Sequence, residues 1–254
     1  MISGTGSNNV IIGKSAGEAG SFSGSSNTAI GYYSGSAITT GNNNVTVGAN
    51  AGDSNTSASD NTLIGYNCGQ ALTTNGASTY VGSNAGQLTT GGVNTFIGAN
   101  AGANMTTGSY NICLGYAANS SSNSSSGQCT LGDSNIGNLR CNDTSISSLS
   151  DRRDKTDIVD LPIGLDFVNT LQPRKFKWET RDGNIKDGSV RAGFIAQELQ
   201  EAQSDCNYMQ LVLEDNPEKL EANEGHLIPV LVNAIKELST KNDALEARIK
   251  TLEG

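Results

Sequence analysis

The amino-acid sequence predicts a mainly β repeat shaft, either a trimeric β-roll or a triple β-helix, followed by an α+β domain that ends in a coiled-coil helix. Three observations predict this class. A motif of about 17 residues recurs in the first part of the chain, charge is concentrated in the second part, and a heptad pattern closes the sequence. The predicted limits are 1–140 for the shaft, 141–149 for a junction and 150–254 for the second domain, with the coiled-coil helix over 227–254.

Charge marks the boundary between the two parts. Of the 16 Lys and Arg residues only Lys14 and Arg140 precede position 151, as do five of the 25 Asp and Glu residues. The first part is rich in Gly, Ser, Asn, Thr and Ala, a composition that without a repeat would be typical of a disordered linker. The net charge of −9 offers no basic surface for nucleic acid or an anionic membrane, so both are excluded as main partners.

Cysteine usage and hydropathy restrict the remaining classes. The five cysteines fit no metal-ligand spacing, and we expect them to be free in a chain assembled in a reducing cytoplasm. No cofactor or metal is expected. No stretch approaches 18 apolar residues, and the first residues lack a basic region and an apolar core. We therefore expect neither a signal peptide nor a membrane anchor.

The repeat unit is a short β-branched strand that begins at Asn or Ser and ends at Gly. It runs from Asn9–Gly13 to a degraded copy at Gln128–Gly132, with steps of 18, 17, 17, 17, 16, 17 and 17 residues between the final glycines. One unit cannot form a core alone, so the units must stack. We expect the recurring apolar position to be buried on a common axis when three chains wind together: Ile12, Ile30, Val47, Ile64, Val81, Ile97 and Leu114. A smaller apolar position recurs at Ala16, Ala51, Ala85 and Ala101.

Over residues 8–132 the repeat resembles those of phage and large-virus tail fibres and the head repeats of trimeric bacterial adhesins. The resemblance implies a β-roll, and the thin repeat unit favours a homotrimer. The Asn, Thr and Tyr rows are interpreted first as turn and ladder residues. The second interpretation is that the shaft binds a host-surface glycan or receptor through them.

The second domain opens where charge begins, at Ser150-Asp151-Arg152-Arg153-Asp154-Lys155. Its further segments are Gly164–Val168, Leu171–Pro173, Phe176–Trp178, Gly193–Leu199 and Leu227–Leu238. Together they resemble the intramolecular chaperone domain of phage endosialidases, tail spikes and neck appendages, the S74 peptidase family. The resemblance covers residues 150–254 and implies a trimeric folding template that cuts its own chain once.

The resemblance implies Ser150 as the nucleophile and Lys155 as the general base. A serine hydroxyl needs a base to become nucleophilic, and a desolvated lysine can serve as one. Arg153 and Asp154 are expected to support the pair, although the family more often has an apolar residue in place of Asp154, whose carboxylate would favour charged Lys155. The one histidine, His226, is expected to be structural, since it leaves a Ser-His-Asp triad barely available.

Two scissile bonds remain open. If Ser150 attacks within its own chain, the carbonyl of Leu149 is reached through a five-membered ring, which favours the Leu149/Ser150 bond. The Ser150/Asp151 bond is the one that the family is usually described as cutting. Its cleavage needs a strained four-membered ring or a nucleophile from a neighbouring chain. The residues alone do not choose between the two bonds.

The closing heptad predicts a coiled coil. Ile at one core position with Leu at the other favours a coiled coil of two helices. A buried Asn fixes the register of the helices at a cost in stability. The family resemblance and the shaft favour three strands, so a trimer is expected. The core positions are Ile228, Ile235, Asn242 and Ile249 in one row and Leu231, Leu238, Leu245 and Leu252 in the other.

The expected function is that of a viral tail fibre or spike, assembled in the host cytoplasm and carried on the virion. Its C-terminal domain would trimerise, set the register of a shaft whose repeats are nearly equivalent, and then release itself by autoproteolysis. The rival hypothesis is a non-cleaving trimeric adhesin or receptor-binding stalk, in which residues 150–254 only trimerise the chain.

Overall fold

The computed structural model of the protein describes residues 5–19, 22–142, 146–181, 183 and 185–253. The chain divides into two compact units, Met1–Gly137 and Asn138–Gly254. The predicted junction 141–149 lies partly outside the described residues, at 143–145.

The first unit is a parallel β-solenoid in which eight short strands stack in chain order. Each strand pairs with the strand one repeat further along the same chain, for example Thr62–Ile64 with Thr79–Val81. The predicted repeat shaft is thus confirmed, and one chain forms it by itself rather than by the intertwining of a triple β-helix. The strands are β1 (Val10–Ile12), β2 (Thr28–Ile30), β3 (Val45–Val47), β4 (Thr62–Ile64), β5 (Thr79–Val81), β6 (Thr95–Ile97), β7 (Ile112–Leu114) and β8 (Cys129–Leu131).

The solenoid interior is filled by the middle residue of each strand. Leu63, Tyr80 and Phe96 are fully buried. Successive strand residues point to opposite faces, so the first and third residues face outward. The third residues, which we expect to be buried on a common axis of three chains, do not form the core of the single chain, since Ile12 is 58% and Ile97 44% exposed. Two neighbouring apolar positions do not by themselves tell which one points inward. The smaller apolar positions Ala16, Ala51, Ala85 and Ala101 are buried.

Side-chain size varies along the interior. The rings of Tyr80 and Phe96 stack with centroids 4.8 Å apart. A Cβ on Gly102 would lie 2.4 Å from the Phe96 ring, so this turn accommodates its large side chain by having glycine opposite. Burial raises the pKa of Tyr80 and of the Cys68 thiol to about 12 each. The interior is consequently close-packed, although each turn is small.

The Asn that opens each repeat forms a buried ladder. The Asn44 backbone N–H donates to Asn27 Oδ1 at 3.0 Å, and the Asn61 backbone N–H donates to Asn44 Oδ1 at 3.1 Å. The Asn44 side-chain amide also donates to the Ala58 carbonyl at 2.9 Å. These bonds satisfy backbone groups that would otherwise be buried without a partner. The row continues through Asn9, Asn27, Asn44, Asn61, Ser78, Asn94, Asn111 and Gln128.

The glycine that ends each repeat stacks directly on its counterpart in the next turn. Gly65 has a φ of +142°, and a Cβ there would lie 2.3 Å from the Gly82 carbonyl oxygen. Both the backbone conformation and the close approach exclude a side chain.

The second unit contains short helices, two antiparallel strand pairs and one long helix. Strand β9 pairs with β10, and β11 pairs with β12. Its core includes Leu171, Leu199, Leu211 and Val230. No helix in the described part of the chain is long and apolar enough to span a bilayer. The elements are α1 (Leu165–Thr170), β9 (Arg174–Lys177), β10 (Val190–Gly193), α2 (Ala196–Ala202), β11 (Val212–Leu213), β12 (Glu221–Ala222) and α3 (Ile228–Glu253).

Candidate functional site

The candidate catalytic residues lie on an exposed segment that precedes the globular part of the second unit. Every residue from 146 to 160 is exposed. Within the segment, Arg152–Asp154 form a 3₁₀ turn that Asp151 caps by accepting the Arg153 backbone N–H at 2.8 Å. Asp is a preferred residue at the N-cap position, which explains why this charged segment forms a turn here.

The turn brings Ser150 and Lys155 together. The Lys155 backbone N–H donates to the Arg152 carbonyl at 3.2 Å, which reverses the chain after the serine. The Lys155 ammonium then donates to Ser150 Oγ at 2.5 Å. The nucleophile and base named from the sequence are therefore in direct contact in one chain.

The two supporting residues have different positions. Arg153 pairs with Asp151, with Nη2 2.6 Å from Oδ2, and this hydrogen bonding holds the pKa of the Asp151 carboxyl below its usual range. Such an exposed pair contributes little to stability. Asp154 and Lys155 are both described, and no ion pair joins them within 4.0 Å. The predicted interference of Asp154 with the base is therefore not a direct contact.

These residues open a segment that matches a known protein family. Residues 150–208 match the Peptidase S74 family model, the chaperone of endosialidase. The match begins at Ser150 itself, and it confirms the predicted resemblance over this segment, which we call the S74 segment. Residues 209–254, with α3, lie beyond it. No curated protein and no solved structure matches the chain.

The geometry of the S74 segment permits nucleophilic attack by serine, provided that the lysine can lose its proton. Lys155 acts as a base only as the neutral amine, which removal from water would favour. In the single chain both side chains are exposed, and Leu149 is 99% exposed. Both candidate bonds flank Ser150 in this exposed segment. The contact between Lys155 and Ser150 is compatible with cleavage of either bond.

Helix α3 has two different faces. Val230 and Ala234 are buried against the rest of the unit, whereas nearly every described residue from Leu238 to Glu253 is exposed. An isolated helical stretch of this length is marginal in water. The exposed face carries the whole predicted heptad: Ile228, Leu231, Ile235, Leu238, Asn242, Leu245, Ile249 and Leu252.

A metal site requires several ligand side chains that lie close together. Among the residues that the structure describes, no group of three or more His, Cys, Asp and Glu side chains converges on one point. His226 has its Nδ1 2.9 Å from the Met209 carbonyl oxygen, a contact that ties the turn before α3 to the unit.

Sequence reasoning missed two polar residues on the inner face of α3, Asn233 and Glu237. Their side chains contact the backbone of residues 161–165. Their spacing of four places them one above the other on a helix, and this was the available signal. It was not decisive, because a polar pair at this spacing is common on solvated helix faces.

Proposed function

We propose that the protein is a segment of a viral tail fibre or spike, assembled in the host cytoplasm, whose C-terminal unit trimerises, templates the shaft and then releases itself by autoproteolysis. The observation that carries the proposal is the 2.5 Å contact between Lys155 Nζ and Ser150 Oγ at the first residue of the S74 segment. Ser150 is the nucleophile, Lys155 is the base, and the bond cut is Leu149/Ser150 or Ser150/Asp151.

Assembly is supported by two largely apolar surfaces that the single chain leaves uncovered. The side chains of the first are exposed, and those of the second are exposed or half-buried. One is the heptad face of α3. The other is the outer sheet face, formed by the first and third residues of strands β1–β8, all of which are Val, Ile, Leu, Thr or Cys. With strands about 4.8 Å apart and three residues wide, this face covers roughly 350 Å². This flat footprint is narrow beside the ~800 Å² of accessible surface per partner that a stable interface buries.

The small area explains why the shaft needs a template. The outer face repeats almost identically at every turn, so copies displaced by one turn would bury similar side chains. Association through α3 fixes which turns face each other and holds the shafts at high effective concentration. The outer sheet face then needs to contribute only part of the binding free energy.

The alternative function is a non-cleaving trimeric adhesin or receptor-binding stalk. The observation that favours it is the complete exposure of Ser150 and Lys155, since a lysine base usually requires a dry environment. In the leading proposal, a neighbouring copy removes this water when the trimer forms, and it would also allow attack between chains.

Denaturing electrophoresis of freshly made full chain separates the two proposals. Wild type is expected to yield a fragment of roughly 100 residues. Ser150→Ala is expected to abolish this fragment because it removes the nucleophile. Lys155→Arg is expected to abolish it because arginine keeps the positive charge but stays protonated and cannot act as a base. Ser148→Ala is the matched control from the same serine run and should cut normally. The fragment mass identifies the bond, since the two products differ by one serine.

Three outcomes contradict the proposal of autoproteolysis. The wild-type chain could remain intact although trimeric, which would favour the stalk. Ser150→Ala could be cut at the wild-type rate, which would exclude Ser150 as the nucleophile. Normal cutting by Lys155→Arg would exclude a lysine base.

A further inference from the structure

Two side chains on the inner face of α3 hold the chain that leads away from Lys155. The Asn233 amide donates to the Leu161 carbonyl at 3.2 Å and to the Ile163 carbonyl at 2.8 Å. Glu237 Oε2 accepts the Leu165 backbone N–H at 2.9 Å. Backbone groups of every second residue from Leu161 to Leu165 are thus bound by side chains one helical turn apart.

The clamp formed by Asn233 and Glu237 is tightly fitted. Gly164 is buried, and a Cβ at this position would lie 2.1 Å from Glu237 Oε1, so a side chain there would displace the carboxylate from its present position. Leu161 and Ile163 are partly buried and pack on the core of the unit. Residues 150–160, by contrast, are all exposed. The exposed segment is therefore anchored to α3 at residue 161.

The anchor lies close to the surface on which copies would associate. Ile235 lies between Asn233 and Glu237 in sequence and belongs to the exposed heptad face. A helix with its side chains is about 10–12 Å across, so the clamp and the heptad face are separated by one helix width. From Leu161 back to Lys155 is six residues, at most about 20 Å of chain.

We propose that Asn233 and Glu237 are positioning residues that tie the cleavage segment to the association helix. When copies pack along the heptad face, the clamp sets how far Ser150 of each chain can lie from the helix bundle. It thereby places the serine where a neighbouring copy can cover it. This inference rests on the proposed autoproteolysis and concerns residues outside the reacting pair.

Variants of Glu237 in the full chain separate positioning from general stability. Glu237→Ala removes the acceptor of the Leu165 N–H, whereas Glu237→Gln keeps an oxygen acceptor of the same length. Glu237→Ala is expected to slow fragment release about 10- to 100-fold, the scale at which misplacement of a reacting group by about 1 Å acts. Glu237→Gln should retain the wild-type rate within about twofold. Asn233→Asp, which cannot donate to carbonyls, should behave like Glu237→Ala.

Two further measurements accompany the cleavage rate. The particle mass in solution should stay that of wild type in all three variants, because the heptad face is unchanged. Hydrogen exchange, measured in chains that also carry Ser150→Ala, should accelerate over residues 161–165 in Glu237→Ala and remain unchanged over residues 239–253.

The outcomes distinguish this inference from the proposed function. An intact wild-type chain overturns autoproteolysis, and with it the role of the clamp in cleavage. A wild-type cleavage rate in Glu237→Ala, together with faster hydrogen exchange at residues 161–165, overturns only the proposed role of the clamp in cleavage. Loss of association, or faster exchange throughout α3, assigns Glu237 to general stability and also overturns it. Slow cleavage with normal mass and local exchange, restored by Glu237→Gln, supports it.

Discussion

At Gly65 the absence of a side chain allows two turns of the shaft to stack. The residue has a left-handed φ of +142°, and its Cα faces the Gly82 carbonyl at a distance that leaves no room for a methyl group. The same arrangement recurs at Gly31, Gly48 and Gly98. The glycine of the motif is therefore a packing requirement as well as a turn residue.

Gly65→Ala is expected to destabilise the shaft more than Gly127→Ala. Gly127 also has positive φ, +73°, but a Cβ added there would meet nothing within 4 Å. Gly127→Ala thus incurs the conformational cost alone, roughly 1–2 kcal/mol. Gly65→Ala adds a clash with backbone that cannot move without separating two turns. Thermal or denaturant unfolding of the two variants measures the difference, and equal losses would show that the stacking is looser than described.

The Ser150 and Lys155 pair was named from the family resemblance. The structure places the two side chains in contact, and their catalytic roles stay a prediction. The sequence did not show which strand side chains face the interior and which face outward. Leu63 and Ile64 are both apolar, and only the closure of the turn around Leu63 decides that Ile64 faces outward. The Asn27 and Asn44 ladder agrees with the interpretation of the Asn row as turn and ladder residues, although its individual acceptors, which lie in other repeats, could not be named from the sequence.

At the scale of elements, α3 has one face that folds with the second unit and one that is exposed, to which we assign the proposed association. Its inner face completes the core of the second unit through Val230 and Ala234, and its outer face carries the heptad. The heptad was predictable because it repeats over four periods. The inner contacts were not, since Asn233 and Glu237 bind backbone that is about 70 residues away in sequence.

Leu238→Lys is expected to disrupt association while leaving the second unit folded. Leu238 lies at a core heptad position and is exposed in the single chain, so lysine there costs nothing until copies meet. Thr240→Lys adds the same charge two residues on, away from the heptad core. Light scattering or native mass measurement should give a monomer for Leu238→Lys and the wild-type mass for Thr240→Lys. An unchanged mass for Leu238→Lys would remove the heptad face from the assembly.

At the scale of the whole molecule, the proposed assembly assigns the shaft and the second unit to different stages. The outer sheet face is too small and too repetitive to select a register, whereas the heptad face has one polar position, Asn242, that can align copies. The solenoid interior, with Leu63, Tyr80 and Phe96 in successive turns, differs from turn to turn and specifies the fold of each chain.

Ile64→Lys is expected to leave cleavage intact and to weaken the association of the released shaft. Ile64 belongs to the outer sheet face, and burying an unpaired ammonium between copies is costly. Tyr66→Lys is the matched control, because Tyr66 is exposed but lies beyond the strand. Mass measurement of the shaft after cleavage should show dissociation in Ile64→Lys alone. Equal behaviour of the two variants would place the contact between shafts elsewhere.

The stacking of the solenoid also determines how it would carry mechanical load. Hydrogen bonds between successive strands run along the axis of the solenoid, as in the pairing of Thr62–Ile64 with Thr79–Val81. Tension applied along that axis therefore acts on one rung at a time, and a lone chain would unwind turn by turn from its end. Lateral contacts along the outer sheet face would instead distribute the force among neighbouring chains, so the face that does not select the register would still determine tensile strength.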